Sequence, residues 1–93
     1  MNAPDESDRL RARKLLELGE PYLSPSRVPL IRSLIDNNEH ELGLDDMLGD
    51  LVTRGKPLPR SFVTELLSRP DQFTDFDGQL QDRLARLAKL ARP

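Results

Sequence analysis

The sequence predicts an all-α protein, a compact bundle of about five short helices. Leucine is the dominant apolar residue, isoleucine and valine are sparse, and no stretch alternates apolar and polar residues as a strand does. Proline and glycine cut the chain into pieces of helical length. Because 93 residues accommodate one core, we expect a single domain over residues 1–93, with residues 1–6 and 92–93 flexible.

The first two predicted helices follow the N-terminal segment. Ser7 is an eligible N-cap for a first helix that ends at Gly19, although its leucines are poorly periodic. Ser24-Pro25 is typical of an N-cap followed by proline at the first helical position, and Asn37-Asn38 ends this second helix. Its apolar stripe consists of Val28, Ile31, Leu34 and Ile35.

The third predicted helix begins near Asn38 or Glu39, runs to Arg54 and has Gly55 as its C-cap. Asn38 and Glu41 have the spacing of a capping box. A buried stripe at i, i+3, i+4 and i+7 is formed by Leu44, Met47, Leu48 and Leu51.

Prolines separate the last two predicted helices. After the stiff turn 56–59, the fourth helix covers about Pro59 to Ser68 and stops at Arg69-Pro70. The fifth begins between Thr74 and Asp77, which have a capping spacing, and runs to Ala91. The apolar residues of the two helices are Phe62, Val63, Leu66 and Leu67, then Leu80, Leu84, Leu87 and Ala91.

The chain lacks the side chains that most catalytic and metal sites require. It has no cysteine, and His40 is its single histidine, which the sequence places at a helix start as a surface or boundary residue. Adjacent Asp45 and Asp46 diverge by about 100° on a helix, so they form no acid/base pair. We therefore expect a protein that is not an enzyme and binds no metal or cofactor. The polar N-terminus and the lack of long apolar runs lead us to expect a soluble cytoplasmic protein without a membrane partner.

Charge is unevenly distributed along the chain, whose net charge is only -2. Two basic segments, 9–14 and 83–92, lie near the ends, but the acidic balance and scarce aromatic residues make nucleic-acid binding a distant third interpretation. Residues 33–53 contain no lysine or arginine and six acidic residues: Asp36, Glu39, Glu41, Asp45, Asp46 and Asp50. Such a local acidic surface suggests docking onto a basic partner, although charged helix faces are commonly just solvated.

A helical wheel places Glu39, Asp46 and Asp50 on one ridge opposite the leucine stripe, and Asp45 on its flank. No basic residue of the same helix compensates this ridge, and Asp46 and Asp50 repel each other at i, i+4. Leu42 lies away from the stripe, so it is either part of a second buried face or an exposed apolar contact. We therefore expect the partner to bind Glu39, Asp46 and Asp50, surrounded by Asp36, His40, Leu42 and Asp45.

The order of elements from Ser24 to Leu67 resembles the MafI-type immunity proteins of bacterial polymorphic toxin systems. The resembling segments are Ser24-Pro25, Leu34-Ile35-Asp36, the run from Asn38 to Leu48, Leu51-Val52, Gly55 and Pro57-Leu58. The chain departs from the family pattern at His40, Glu41 and Gly43, where an aromatic residue, a glycine and an alanine are usual.

The resemblance implies a small helical protein, here expected to be a monomer, that neutralises a cognate toxin, often a nuclease. Nuclease sites are lined with lysine and arginine, so an acidic surface would mimic the charge of the substrate. The alternative is a helical adaptor or regulatory module that docks onto another protein.

Overall fold

The computed structural model describes residues 4–75 and 77–92 and confirms the all-α bundle. Its five helices are α1 (Pro4–Gly19), α2 (Arg27–Asp36), α3 (His40–Arg54), α4 (Arg60–Leu67) and α5 (Leu80–Lys89). Short 3₁₀ turns cover Glu20–Tyr22 and Pro70–Gln72. Two-residue strands β1 (Leu58–Pro59) and β2 (Ala91–Arg92) pair in parallel and bring the end of α5 beside the α3–α4 turn.

Helix α3 lies at the centre of the bundle and packs against α1, α2 and α5. Its predicted stripe is confirmed, because Leu44, Met47, Leu48 and Leu51 are all buried. Gly55 is also confirmed as its C-cap: the backbone is left-handed there, with φ of 64°, and its N–H donates to Leu51 O.

The buried face of helix α1 cannot be recognised from the positions of its leucines alone. Ala12, Leu15, Leu16 and Gly19 are buried at i, i+3, i+4 and i+7, whereas Leu10 and Leu18 are exposed. Ser7 lies inside this helix rather than at its cap, because the helix already begins at Pro4. The expected flexible end at 1–6 therefore overlaps α1 at Pro4–Glu6, and Arg92 belongs to β2; residues 1–3 and 93 lie outside the described residues.

Two of the predicted helix starts differ from the structure, because neither Ser24 nor Asn38 caps the helix that follows it. Helix α2 begins at Arg27, whose N–H donates to Ser24 O. The N–H and the hydroxyl of Ser24 donate instead to Asp50 of α3. Helix α3 begins at His40, with Asn38 in the left-handed region at φ 63° instead of in a capping box.

The fifth helix is shorter than predicted. It begins at Leu80, whose N–H donates to Asp75 Oδ1 at 3.0 Å, while Asp77 Oδ1 accepts the Gln79 N–H at 3.1 Å. It ends at Lys89 because the next residues turn into β2, and Leu90 O accepts the N–H of Leu58 at 2.8 Å.

Candidate partner-binding groove on helix α3

The outward face of α3 forms the floor of an open groove with a volume of about 480 Å³. Leu42, Gly49 and Thr53 line this floor and follow one another at helical spacing. Arg27 of α2 lines the groove on one side, and Arg83 of α5 lines it as well. Of this lining, the sequence predicted Leu42, Asp45, Asp46 and Asp50 as site residues, whereas Gly49, Thr53 and the arginines of the neighbouring helices were not predicted.

Asp50 stands on the α2 side of the groove and holds the segment that leads into α2. Its carboxylate accepts the backbone N–H of Ser24 at 2.7 Å and the Ser24 hydroxyl at 2.8 Å. Asp50 is consequently half-buried. Both donors are neutral groups, so these two contacts do not compensate the negative charge of Asp50.

Asp45 makes the equivalent contact to the loop before α5. Its carboxylate accepts the backbone N–H of Thr74 at 2.9 Å and also the Thr74 hydroxyl. Asp45 and Asp46 are separated by about 100° around the helix. Thr74, which contacts Asp45, and Arg27 of α2, which contacts Asp46, therefore lie on different flanks of α3. Thr74, which was predicted as a cap of the fifth helix, thus donates hydrogen bonds to a side chain of α3 instead.

Asp46 and Asp36 each pair with an arginine from another helix. Arg27 Nη1 donates to the two carboxylate oxygens of Asp46 at 3.2 and 3.5 Å, and Asp46 is half-buried beside it. Arg13 Nη2 donates to Asp36 Oδ1 at 2.6 Å on the exposed surface.

The expected exposed ridge of Glu39, Asp46 and Asp50 is therefore wrong in one respect. Glu39 is exposed, but Asp46 and Asp50 are half-buried and have partners. A wheel drawn for one helix has no information about α2 and the loops that pack along its flanks.

His40 and Leu42 have opposite environments, although they are two residues apart. His40 is only 6% exposed, which overturns its expected surface or boundary position; its Nδ1 is buried without a hydrogen-bond partner among the described residues. Leu42 is 49% exposed at the edge of the groove. The open question about Leu42 is thereby answered: its side chain is an exposed apolar group and not part of a second buried face.

An ion pair beside the groove fixes Arg83. Its guanidinium donates to both carboxylate oxygens of Asp77, at 3.1 Å to Oδ1 and more closely to Oδ2. These hydrogen bonds hold the pKa of Asp77 below its ordinary value and raise the pKa of Arg83. The negative charge of Asp45 raises the pKa of Arg83 as well.

The remaining chemistry of the described chain is limited. Within 4–75 and 77–92, no three histidine or acidic side chains come together as a metal site. The helices of the same residues include none with the length and apolarity to cross a bilayer. Comparison of the chain with protein-family models, with curated proteins and with solved structures yields no match.

Proposed function

We propose that this chain is an immunity protein that binds and neutralises a cognate bacterial toxin domain through the outer face of α3. The toxin supplies a basic surface, such as the phosphate-binding cleft of a nuclease. The proposal takes its functional class from the sequence resemblance and its contact surface from the groove.

The exposure of Leu42 is the observation that carries the choice of surface. A half-exposed leucine is unremarkable by itself. This one lies at the edge of a groove, next to the exposed carboxylates of Glu39 and Glu41 and one helical turn before Asp45 and Asp46. An apolar contact within a rim of like charge is the composition expected of an interface centre and its periphery.

The charge of the α3 surface favours a basic partner. Helix α3 has no lysine or arginine before Arg54, and Asp46 is paired with an arginine of another helix, Arg27 of α2. Complementary charge across an interface accelerates association and discourages wrong partners. This charge supports a protein partner with lysine and arginine at its surface.

The basic segments near the chain ends give little support to nucleic-acid binding. Arg13 pairs with Asp36, and Arg86 pairs with Asp82 at 3.0 Å. Arg11 turns inward and donates to the Glu65 and Gln72 oxygens, where burial and the neighbouring Arg69 lower its pKa. Guanidiniums held in this way are not arranged as a row for phosphate contacts.

A helical adaptor or regulatory module is the second candidate, because the same groove would serve any basic protein. The coding context separates the two functions. A toxin domain encoded directly upstream supports immunity, whereas a regulatory operon supports the adaptor.

The test is a charge substitution at Leu42, measured by titration calorimetry against the toxin domain encoded upstream. Leu42→Lys should weaken binding by about 30-fold, which corresponds to a hot-spot loss of about 2 kcal/mol. The lysine would place a positive charge against a basic partner and remove the apolar contact. Folding should be unaffected, since the new side chain is exposed and adjacent to carboxylates.

Leu30→Lys is the matched control, because Leu30 is 53% exposed on α2 and does not line the groove. It should bind as the unmodified chain does. Equal affinity of the two variants would contradict the proposed surface, and failure of the unmodified chain to bind the upstream toxin would contradict the immunity function itself.

A further inference from the structure

Gly49 lines the groove and leaves space above its floor. A Cβ built at this glycine would meet no atom of the described chain within 4 Å, apart from its own helix and chain neighbours. Its φ is not positive, so no backbone constraint demands glycine here. Glycine is a poor helix former, and the sequence nevertheless has it in the interior of the central helix.

The two buried glycines of the helices, Gly19 and Gly43, have a packing reason. A Cβ at Gly43 would lie 2.9 Å from Ile35 Cγ1, and one at Gly19 would lie 2.7 Å from Phe62 Cζ. Both glycines let neighbouring elements approach closely. Gly49 has no such neighbour, so the space that it leaves faces the groove and not the core.

The groove has a definite charge pattern around this space. Among the lining residues, Asp45, Asp46 and Asp50 carry three negative charges, and Arg27 and Arg83 carry two positive charges. Because Arg83 is also paired with Asp77, negative charge is in excess here. The uncharged part of the lining includes Leu42 and Leu80. A long aliphatic side chain with a cationic end is complementary to both features.

We infer that the groove receives a lysine or arginine side chain from the toxin, with its aliphatic stem over Gly49 and its cationic end at Asp46. This inference rests on the proposed function. It adds how the toxin is recognised: by insertion of a basic side chain, in addition to contact of two charged surfaces at Leu42.

Arg27 occupies the position that the inserted cation takes. Its guanidinium lies 3.2 Å from Asp46 Oδ1, and its side chain is half exposed. Because the Arg27 side chain is half exposed and its second contact to Asp46 is as long as 3.5 Å, an incoming cation can take its place at this carboxylate. Arg27 therefore keeps the carboxylate paired in the free protein and competes with the partner for it.

Filling the groove tests the inference. Gly49→Leu places a side chain on the floor without a clash and should weaken binding of the upstream-encoded toxin domain by about 30-fold in titration calorimetry. Thr64→Leu adds a similar side chain at an exposed position of α4 and is the matched control, with unchanged affinity expected. Thermal unfolding of both variants establishes that each is folded.

Removing the internal competitor provides a second, independent readout. Arg27→Gln should tighten binding by several-fold, because Asp46 no longer has to exchange partners. Weaker binding of Arg27→Gln would overturn the exchange at Asp46, since Arg27 would then contribute to the complex.

The two proposals fail in different ways. Unchanged affinity of folded Gly49→Leu, together with weakened binding of Leu42→Lys, would overturn insertion into the groove and leave the immunity function intact. No binding by the unmodified chain would remove the proposed function, and insertion with it.

Discussion

Asp50 shows how a single carboxylate can organise a neighbouring segment of this protein. Both of its oxygens accept hydrogen bonds from one residue, Ser24, which lies just before α2. These bonds replace the local capping that Ser24-Pro25 suggests in the sequence. Asp45 does the same for Thr74. The acidic residues of α3 therefore have a structural role at the level of the side chain, independent of any partner.

This role gives a stability prediction for Asp50→Ala. The substitution leaves the half-buried N–H and hydroxyl of Ser24 without their acceptor, so the free energy of unfolding should fall by about 1–3 kcal/mol. Urea unfolding measures it. Glu17→Ala, at an exposed position of α1, is the control and should change the free energy by less than about 0.5 kcal/mol. Equal effects of the two substitutions would show that the Asp50 bonds contribute no net stability.

The same bonds bear on charge reversal of the acidic surface. If Asp46 and Asp50 lay on a fully exposed ridge, as the helical wheel predicts, lysine at either position would leave folding intact. In the structure a lysine at either position would remove contacts to Arg27 or Ser24. Leu42 is thus the cleaner site for testing partner binding.

At the level of elements, the start of α5 depends on two aspartates in the preceding turn. Asp75 accepts the N–H of Leu80, and Asp77 accepts the N–H of Gln79 while pairing with Arg83. Acidic groups near a helix N-terminus also interact favourably with the helix dipole. Charge at these positions therefore stabilises the first turn of α5, in which no side chain of the N-cap residue Gln79 makes a capping bond.

Acid should weaken this turn. Because Arg83 lowers the pKa of Asp77 in the folded state, the ionised carboxylate stabilises the fold above its unfolded pKa of 3.8. That stabilisation is lost as the pH falls below this value through the lowered folded pKa. Asp77→Asn should accordingly lose less stability between about pH 6 and about pH 2.5 than the unmodified chain. Urea unfolding of both proteins at the two pH values measures these losses of stability. Equal losses in the two proteins would contradict the role of the Asp77 carboxylate in stabilising the fold.

At the level of the whole molecule, α3 packs closely against α2 through one glycine and keeps the groove on its outward face open through another. Gly43 faces Ile35 and the backbone oxygen of Ile31, so α2 and α3 approach one another there. Gly49 faces the groove. Two glycines of one helix thus have opposite effects on packing: Gly43 allows α2 to approach closely, and Gly49 leaves free space.

Alanine at these two positions should therefore have opposite effects. Gly49→Ala should raise the free energy of unfolding by about 1 kcal/mol, the difference in helix propensity between the residues. Gly43→Ala gains the same propensity but forces Ile35 and α2 apart, and a net loss of about 1–2 kcal/mol is expected. Thermal or urea unfolding measures both. A stabilised Gly43→Ala would mean that the α2–α3 contact relaxes without strain.

The sequence predicts the fold better than it predicts the surroundings of the site. The stripe of α3 is predictable because Leu44, Met47, Leu48 and Leu51 repeat at the helical period, and Gly55 ends the helix by a local rule. The buried face of α1 is missed because it includes Ala12 and Gly19, which are weak signals of a core position.

The contacts of Asp45 and Asp50 join residues 26 or more positions apart, so no local pattern contains them. The burial of His40 is equally inaccessible, because it depends on how the start of α3 meets the rest of the bundle. The sequence therefore identifies which face of α3 is polar but not which of its carboxylates are available to a partner.

The paired contacts to Ser24 and Thr74 make two backbone amides into markers of the groove. Each N–H points at a carboxylate of α3, one on the α2 flank and the other on the flank of the loop before α5. The chemical shift and solvent exchange of an amide proton respond to the charge of its acceptor. In an amide-resolved spectrum of this protein, a cation placed against Asp50 would move the Ser24 signal, and one placed against Asp45 would move the Thr74 signal. The two amide signals together would therefore report on which side of α3 a bound positive charge lies.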